Sequence, residues 1–162
     1  MHNSRITFIN ITLIILTGCS GSFENWKKSA QDPEIIHRTI KKITDVIVHD
    51  IFSPPVASRI YVYTSIAGYE AALHDNPGYQ SLEGQLKGLK NIPQPDKTLA
   101  YCYPLASVHA MLKVSKAMVF SEEKIEAHHN QILEEFRKAG VPEDVFERSL
   151  LYGTQLGEHI LG

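Results

Sequence analysis

Three pairs of residues in this chain carry spacings that could do chemistry. Glu126 and His129 form a Glu-x-x-His step on a single helical face, the arrangement by which carboxylate-bridged di-iron bundles hold their metals. Such a site also needs a second copy of the step and two further glutamates from facing helices. Glu70 and His74 could add a helical pair at a spacing of four. His109 lies near Met111 and Met118, a histidine and methionine combination able to ligate haem iron, but no Cys-x-x-Cys-His attachment motif accompanies it. For each pair the plainer reading is packing: one of His128 and His129 solvated and the other a hydrogen-bonded core histidine, the methionines as core filler, and Tyr61, Tyr63 and Tyr69 as a helix interface. No catalytic, cofactor-binding or metal-ligating residue is assigned on these spacings.

The two cysteines divide by position. Cys102 sits among Tyr101, Tyr103 and Leu105 with no basic neighbour to lower its pKa, which describes a packed, inert thiol. Cys19 closes an N-terminal stretch with one basic residue, Arg5, an apolar run from Ile6 to Leu16, and then small residues. This is the plan of a signal peptide, too short to span a bilayer comfortably. Leu16-Thr17-Gly18-Cys19 resembles the lipobox of bacterial lipoproteins, which implies diacylglyceryl transfer to Cys19 and cleavage before it. Two acyl chains anchor stably where one is marginal, and Ser20 rather than aspartate after the cysteine points to the outer membrane. Cleavage would leave Cys102 as the one thiol, so no intramolecular disulfide is expected.

The elements behind these residues read as helices. Ile36, Ile40, Ile43, Ile47 and Ile51 recur at helical steps and predict the inner face of a first long helix, with Asp32 and Pro33 at its start. Ser53, followed by two prolines, predicts the start of a second helix, in which Ala57, Ala67, Gly68, Ala71 and Ala72 permit close approach of a neighbour. His74 to Gly78 is a turn signal. Leu82, Leu86 and Leu89 suggest one or two helical turns. A third long helix is predicted from about Pro104 to Phe120, with an earlier, kinked start at Thr98 left open. Ser121 is the expected cap of a fourth, with Phe120 and Ile125 placed as a hydrophobic staple; Ile125, His129, Ile132 or Leu133, and Phe136 form its inward line, and Gly140 its end. Pro142 opens the fifth, with Val145 or Phe146, Leu150, Gly153, Leu156 or Gly157, and Ile160 facing in. Gly153 and Gly157 lie within this helix, so their spacing describes close packing rather than a phosphate loop. No stretch alternates with a period of two. The expectation is an all-α helical bundle of about five long helices plus a short helix, after a cleavable signal peptide. The divisions are residues 1–18 as lipoprotein signal peptide, 19–31 as lipid-anchored tether with Trp26 seeking a pocket or interface, and 32–162 as the bundle.

The chain of 162 residues has 16 basic and 18 acidic side chains and 43% hydrophobic content. That composition fits one globular domain and argues against a nucleic-acid surface, which would show a basic excess.

Three stretches, TDVIVHDIFSPPVASRIYVYTSIAGYEA, YPLASVHAMLKVSKAMVF and FERSLLYGTQLGEHIL, resemble the N-terminal helical half of the bacterial lipoprotein branch of vanadium-dependent haloperoxidases and type 2 phosphatidic-acid phosphatases. The resemblance runs over roughly residues 32 to 161. It implies an enzyme that holds vanadate or phosphate with a lysine six residues before Arg-Pro, then Ser-Gly-His, then an arginine followed after five residues by a histidine. No Arg-Pro dipeptide is present, Ser107-Val108-His109 lacks the glycine, and none of Arg38, Arg59, Arg137 or Arg148 has a histidine six positions on. The expectation is therefore a truncated scaffold portion, ending at Ile160-Leu161-Gly162 without a polar tail, not catalytic alone and without a cofactor of its own. Its partners would be the envelope membrane through Cys19 and a missing C-terminal bundle, or self-association through an exposed apolar face. The alternative is a complete, non-catalytic lipoprotein acting as a helical module for a partner or hydrophobic ligand.

Overall fold

A computed structural model describes residues 25–162; the expected signal peptide and the lipobox with Cys19 lie outside the described residues. The regular structure is helical throughout, with no strand among the described residues. Five long helices, α2 (Glu34–His49), α3 (Pro54–Ala72), α4 (Tyr103–Met118), α5 (Glu122–Lys138) and α6 (Glu143–Leu161), follow a short α1 (Asn25–Ala30). None of them is long and apolar enough to cross a membrane.

The bundle is built around α4. Its buried residues lie on nearly every side, and it packs against α3 and α6 most extensively, then α5 and α2. Residue size sorts the two sides. Leu105, Val108 and Leu112 enter an aliphatic core with Ile43 and Val46 of α2, Ile125, Ile132 and Phe136 of α5, and Phe146 of α6. Ala106, Ala110 and Val114 face Ala67 and Ala71 of α3 and Leu156 of α6. Small residues bring backbones together there, as the 2.8 Å hydrogen bond donated by Ser107 Oγ to the Gly68 carbonyl shows.

The α2–α3 corner departs from expectation. The buried seam of α2 is Ile35, Thr39, Ile43, Val46 and Ile47, whereas Ile40 is 40% and Ile51 88% exposed. Thr39 serves in the core because its hydroxyl donates to the Ile35 carbonyl at 2.8 Å, hiding its polarity within the helix. Ile51 lies past the end of α2 in the left-handed region, φ 56°, and turns the chain toward Ser53 and Pro54. Asp50 ties this corner to the α4–α5 turn, accepting from the Phe120 and Ser121 backbone N–H groups at 2.8 and 3.0 Å and from the Ser121 hydroxyl at 2.6 Å. Burial raises the Asp50 pKa, but these hydrogen bonds outweigh it and hold the carboxylate below its ordinary range. Ser121 thus occupies the cap position of α5 without a side-chain cap bond. The expected staple does not form: Ile125 is buried, while Phe120 is 78% exposed, its ring 4.8 Å from that of Phe52.

Helix α4 starts at Tyr103 with Pro104 in its first turn, so the earlier kinked start is absent and no internal hydrogen bond is lost. Leu82–Leu89 forms hydrogen-bonded turns, the Gln85 and Leu86 N–H groups donating to the Leu82 carbonyl at 3.0 and 3.1 Å, but no helix, since Gly84 and Gly88 adopt φ 74° and 92°. The short helix is instead α1, within the stretch read as tether, and it buries Trp26 against the aliphatic core. At the end of α5, Gly140 takes φ 84° as expected of a C-terminal glycine.

Candidate functional site

The candidate residues converge at one place, a file of three polar side chains across the bundle. His109 Nδ1 lies 2.8 Å from His129 Nε2, and His109 Nε2 lies 2.8 Å from Thr154 Oγ1. The three come from α4, α5 and α6. Gly153 makes the approach: a Cβ there would lie 2.6 Å from the Ala106 carbonyl oxygen and 3.1 Å from His109 Cδ2. The glycine read from sequence as a packing residue therefore also seats Thr154 on the imidazole.

Burial first, then the neighbouring His129 and Lys113, push the His109 pKa down to about 3. Burial also lowers His129. At neutral pH both rings are uncharged, and the file has two hydrogen-bond registers. In one, Thr154 donates to His109, which donates to His129; in the other every donor and acceptor reverses. A proton can pass along this file, but a metal does not fit between rings so close. Two imidazole nitrogens on one tetrahedral zinc, each at about 2.0–2.1 Å, stand roughly 3.3 Å apart, wider than the 2.8 Å here.

The other spacings do not converge. Glu126 makes a 2.6 Å ion pair with Lys116 and no hydrogen bond or ion pair with His129. Among the described residues no group of three or more His, Cys, Asp and Glu side chains could hold a metal ion. Glu70 is fully buried, and accepts from the Leu82 N–H at 2.7 Å and the Ser81 hydroxyl at 2.9 Å, clamping the loop after α3. His74 instead faces the rings of Tyr103 and Tyr152. His128 is half-buried, and its Nε2 is enclosed without a hydrogen-bond partner, so it is not the solvated member of the pair. Cys102 is buried, and its thiol is pushed up to about 11. Sequence reading missed Thr154 and the Asp50 clamp, which act on segments distant in the chain, and the Glu70 clamp, whose partners in the following loop no helical spacing marks.

No family model matches the chain, and no curated protein matches it. Among solved structures, the crystal structure of a bacterial vanadium-dependent iodoperoxidase matches with a TM-score of 0.73 and 41% sequence identity over 79% of this chain. The fold is haloperoxidase-like. The chain spans 30% of the length of the iodoperoxidase.

Proposed function

We propose that this chain is the lipid-anchored helical scaffold portion of an enzyme of the vanadium haloperoxidase and phosphatidic-acid phosphatase type, and that it does not turn over substrate alone. One observation carries the reading: 41% identity to an iodoperoxidase across 79% of the chain, with 30% of that protein matched. The sequence agrees, since Arg-Pro and Ser-Gly-His are absent from it and an oxyanion is held by clustered cationic and hydrogen-donating groups. Vanadate or phosphate would then bind in a further bundle. Such a bundle could cover the apolar cleft of about 230 Å³ lined by Tyr63, Ile66, Leu86, Leu89 and Ile160; left uncovered, that face favours self-association. Anchoring would run through Cys19 to the envelope, at the outer membrane.

Reading the gene past the codon for Gly162 tests the proposal. An in-frame continuation carrying Arg-Pro and Ser-Gly-His supports it, and a stop codon there favours a complete, non-catalytic lipoprotein module. Metabolic labelling with palmitate tests the anchor: label lost in Cys19→Ser supports it, and label retained in that variant, or absent from the parent chain, contradicts it.

A further inference from the structure

A second cleft, lined by none of the three residues of the histidine file, has the make-up of a ligand site. Its volume is about 380 Å³, and it opens beside the turn after α3, lined by His74, Asn76, Tyr79, Pro95, Lys97 and Tyr103 among others. Lys97 is the one charged side chain in that lining, and it makes no ion pair among the described residues. The His74 ring lies tilted to those of Tyr103 and Tyr152, 5.9 and 6.2 Å away between centroids, and no hydrogen bond engages its nitrogens among the described residues. The walls include flat rings. Tyr79 rests edge-on to Tyr69, Tyr103 stacks on Tyr101, and Pro95 is buried.

We propose that this cleft binds a small aromatic carboxylate, with its ring between the tyrosine and proline walls and its carboxylate on the Lys97 ammonium and a His74 N–H. The chemistry selects this class. Pockets of this kind bury a flat apolar body and orient it with few polar groups. A single ammonium matches a monoanion, whereas a phosphate dianion calls for a cluster of arginines or several aligned N–H donors. Neither Glu70, which is held by Ser81 and Leu82, nor Asp75 lines this cleft.

The test is a titration of the full chain with benzoate, followed by NMR of the His74 imidazole and the Tyr79 and Tyr103 rings, with benzylamine and inorganic phosphate as comparison probes. Saturable benzoate shifts at all three rings are expected. Lys97→Gln should weaken binding about tenfold, and Tyr79→Ala comparably, while Lys87→Gln leaves it unchanged. Lys97 and Tyr79 are exposed, so these variants should keep the parent's circular dichroism spectrum. The proposal is overturned if benzoate gives no saturable shift, if Lys97→Gln binds as tightly as the parent, or if benzylamine or phosphate binds as well as benzoate.

Discussion

Two residues hold backbone or protonation states that their types disfavour, and each gives a measurable handle. Ile51 is β-branched, left-handed and 88% exposed. An L-residue with a Cβ loses roughly 1–2 kcal/mol in that region relative to glycine. Ile51→Gly is therefore expected to stabilise the chain by about 1 kcal/mol, after the greater freedom of glycine in the unfolded state is subtracted; an unchanged or lower denaturant midpoint would contradict this. His109 gives a pH signature. Its folded pKa is depressed from 6.5 to about 3, so below 6.5 the unfolded ring takes a proton that the folded ring refuses. Its contribution to stability is complete above that value and falls as the pH drops toward 3, by about 2 kcal/mol between pH 7 and pH 5. His74, His128 and His129 shift in the same direction and add to the slope. Denaturant titrations at the two pH values should show the loss, and His109→Gln should flatten it.

At the scale of helices, the two glycines of α6 separate backbone from side-chain crowding. A Cβ at Gly153 meets the Ala106 carbonyl, which cannot move without moving α4, whereas the nearest atoms to one at Gly157 are all of the Lys113 side chain, at 3.2 Å to Cδ and 3.3 Å to Cβ and Cγ. Gly153→Ala should cost roughly 2 kcal/mol or more, overpacking exceeding the helix-propensity gain. Gly157→Ala should be neutral or stabilising by up to about 1 kcal/mol. Equal melting temperatures for the two variants would contradict this account. The same glycines show what the sequence could disclose. Their spacing marked close packing, and the Pro54, Gly140 and Pro142 signals marked helix ends, because these are local constraints on the backbone. The seam of α2 was legible only in part, Ile43 and Ile47 being buried as expected and Ile40 and Ile51 not, and the fate of Phe120 was hidden. Thr39 enters the core through a bond to its own helix, and Ser121 leaves its cap role for Asp50, which lies far away in the chain. The three-residue polar file was hidden for the same reason: a Glu-x-x-His step is visible along one helix, but Thr154 reaches His109 only once α6 has docked on α4.

For the whole molecule, α4 buried on nearly every side and two cores sorted by residue size explain how an all-helical bundle forms in a chain spanning 30% of the iodoperoxidase it matches. The candidate residues that converge make a neutral proton file, and two of the described arginines are committed elsewhere. Arg38 grips Glu135 through two bonds of 2.9 and 2.6 Å, and Arg148 holds the Ala100 carbonyl and Asp144. The most direct test of the scaffold reading is iodide oxidation by hydrogen peroxide with the purified full chain and added vanadate. The account predicts a rate equal to that of vanadate and peroxide without protein. Vanadate-saturable turnover, abolished by a single substitution within this chain, would contradict it.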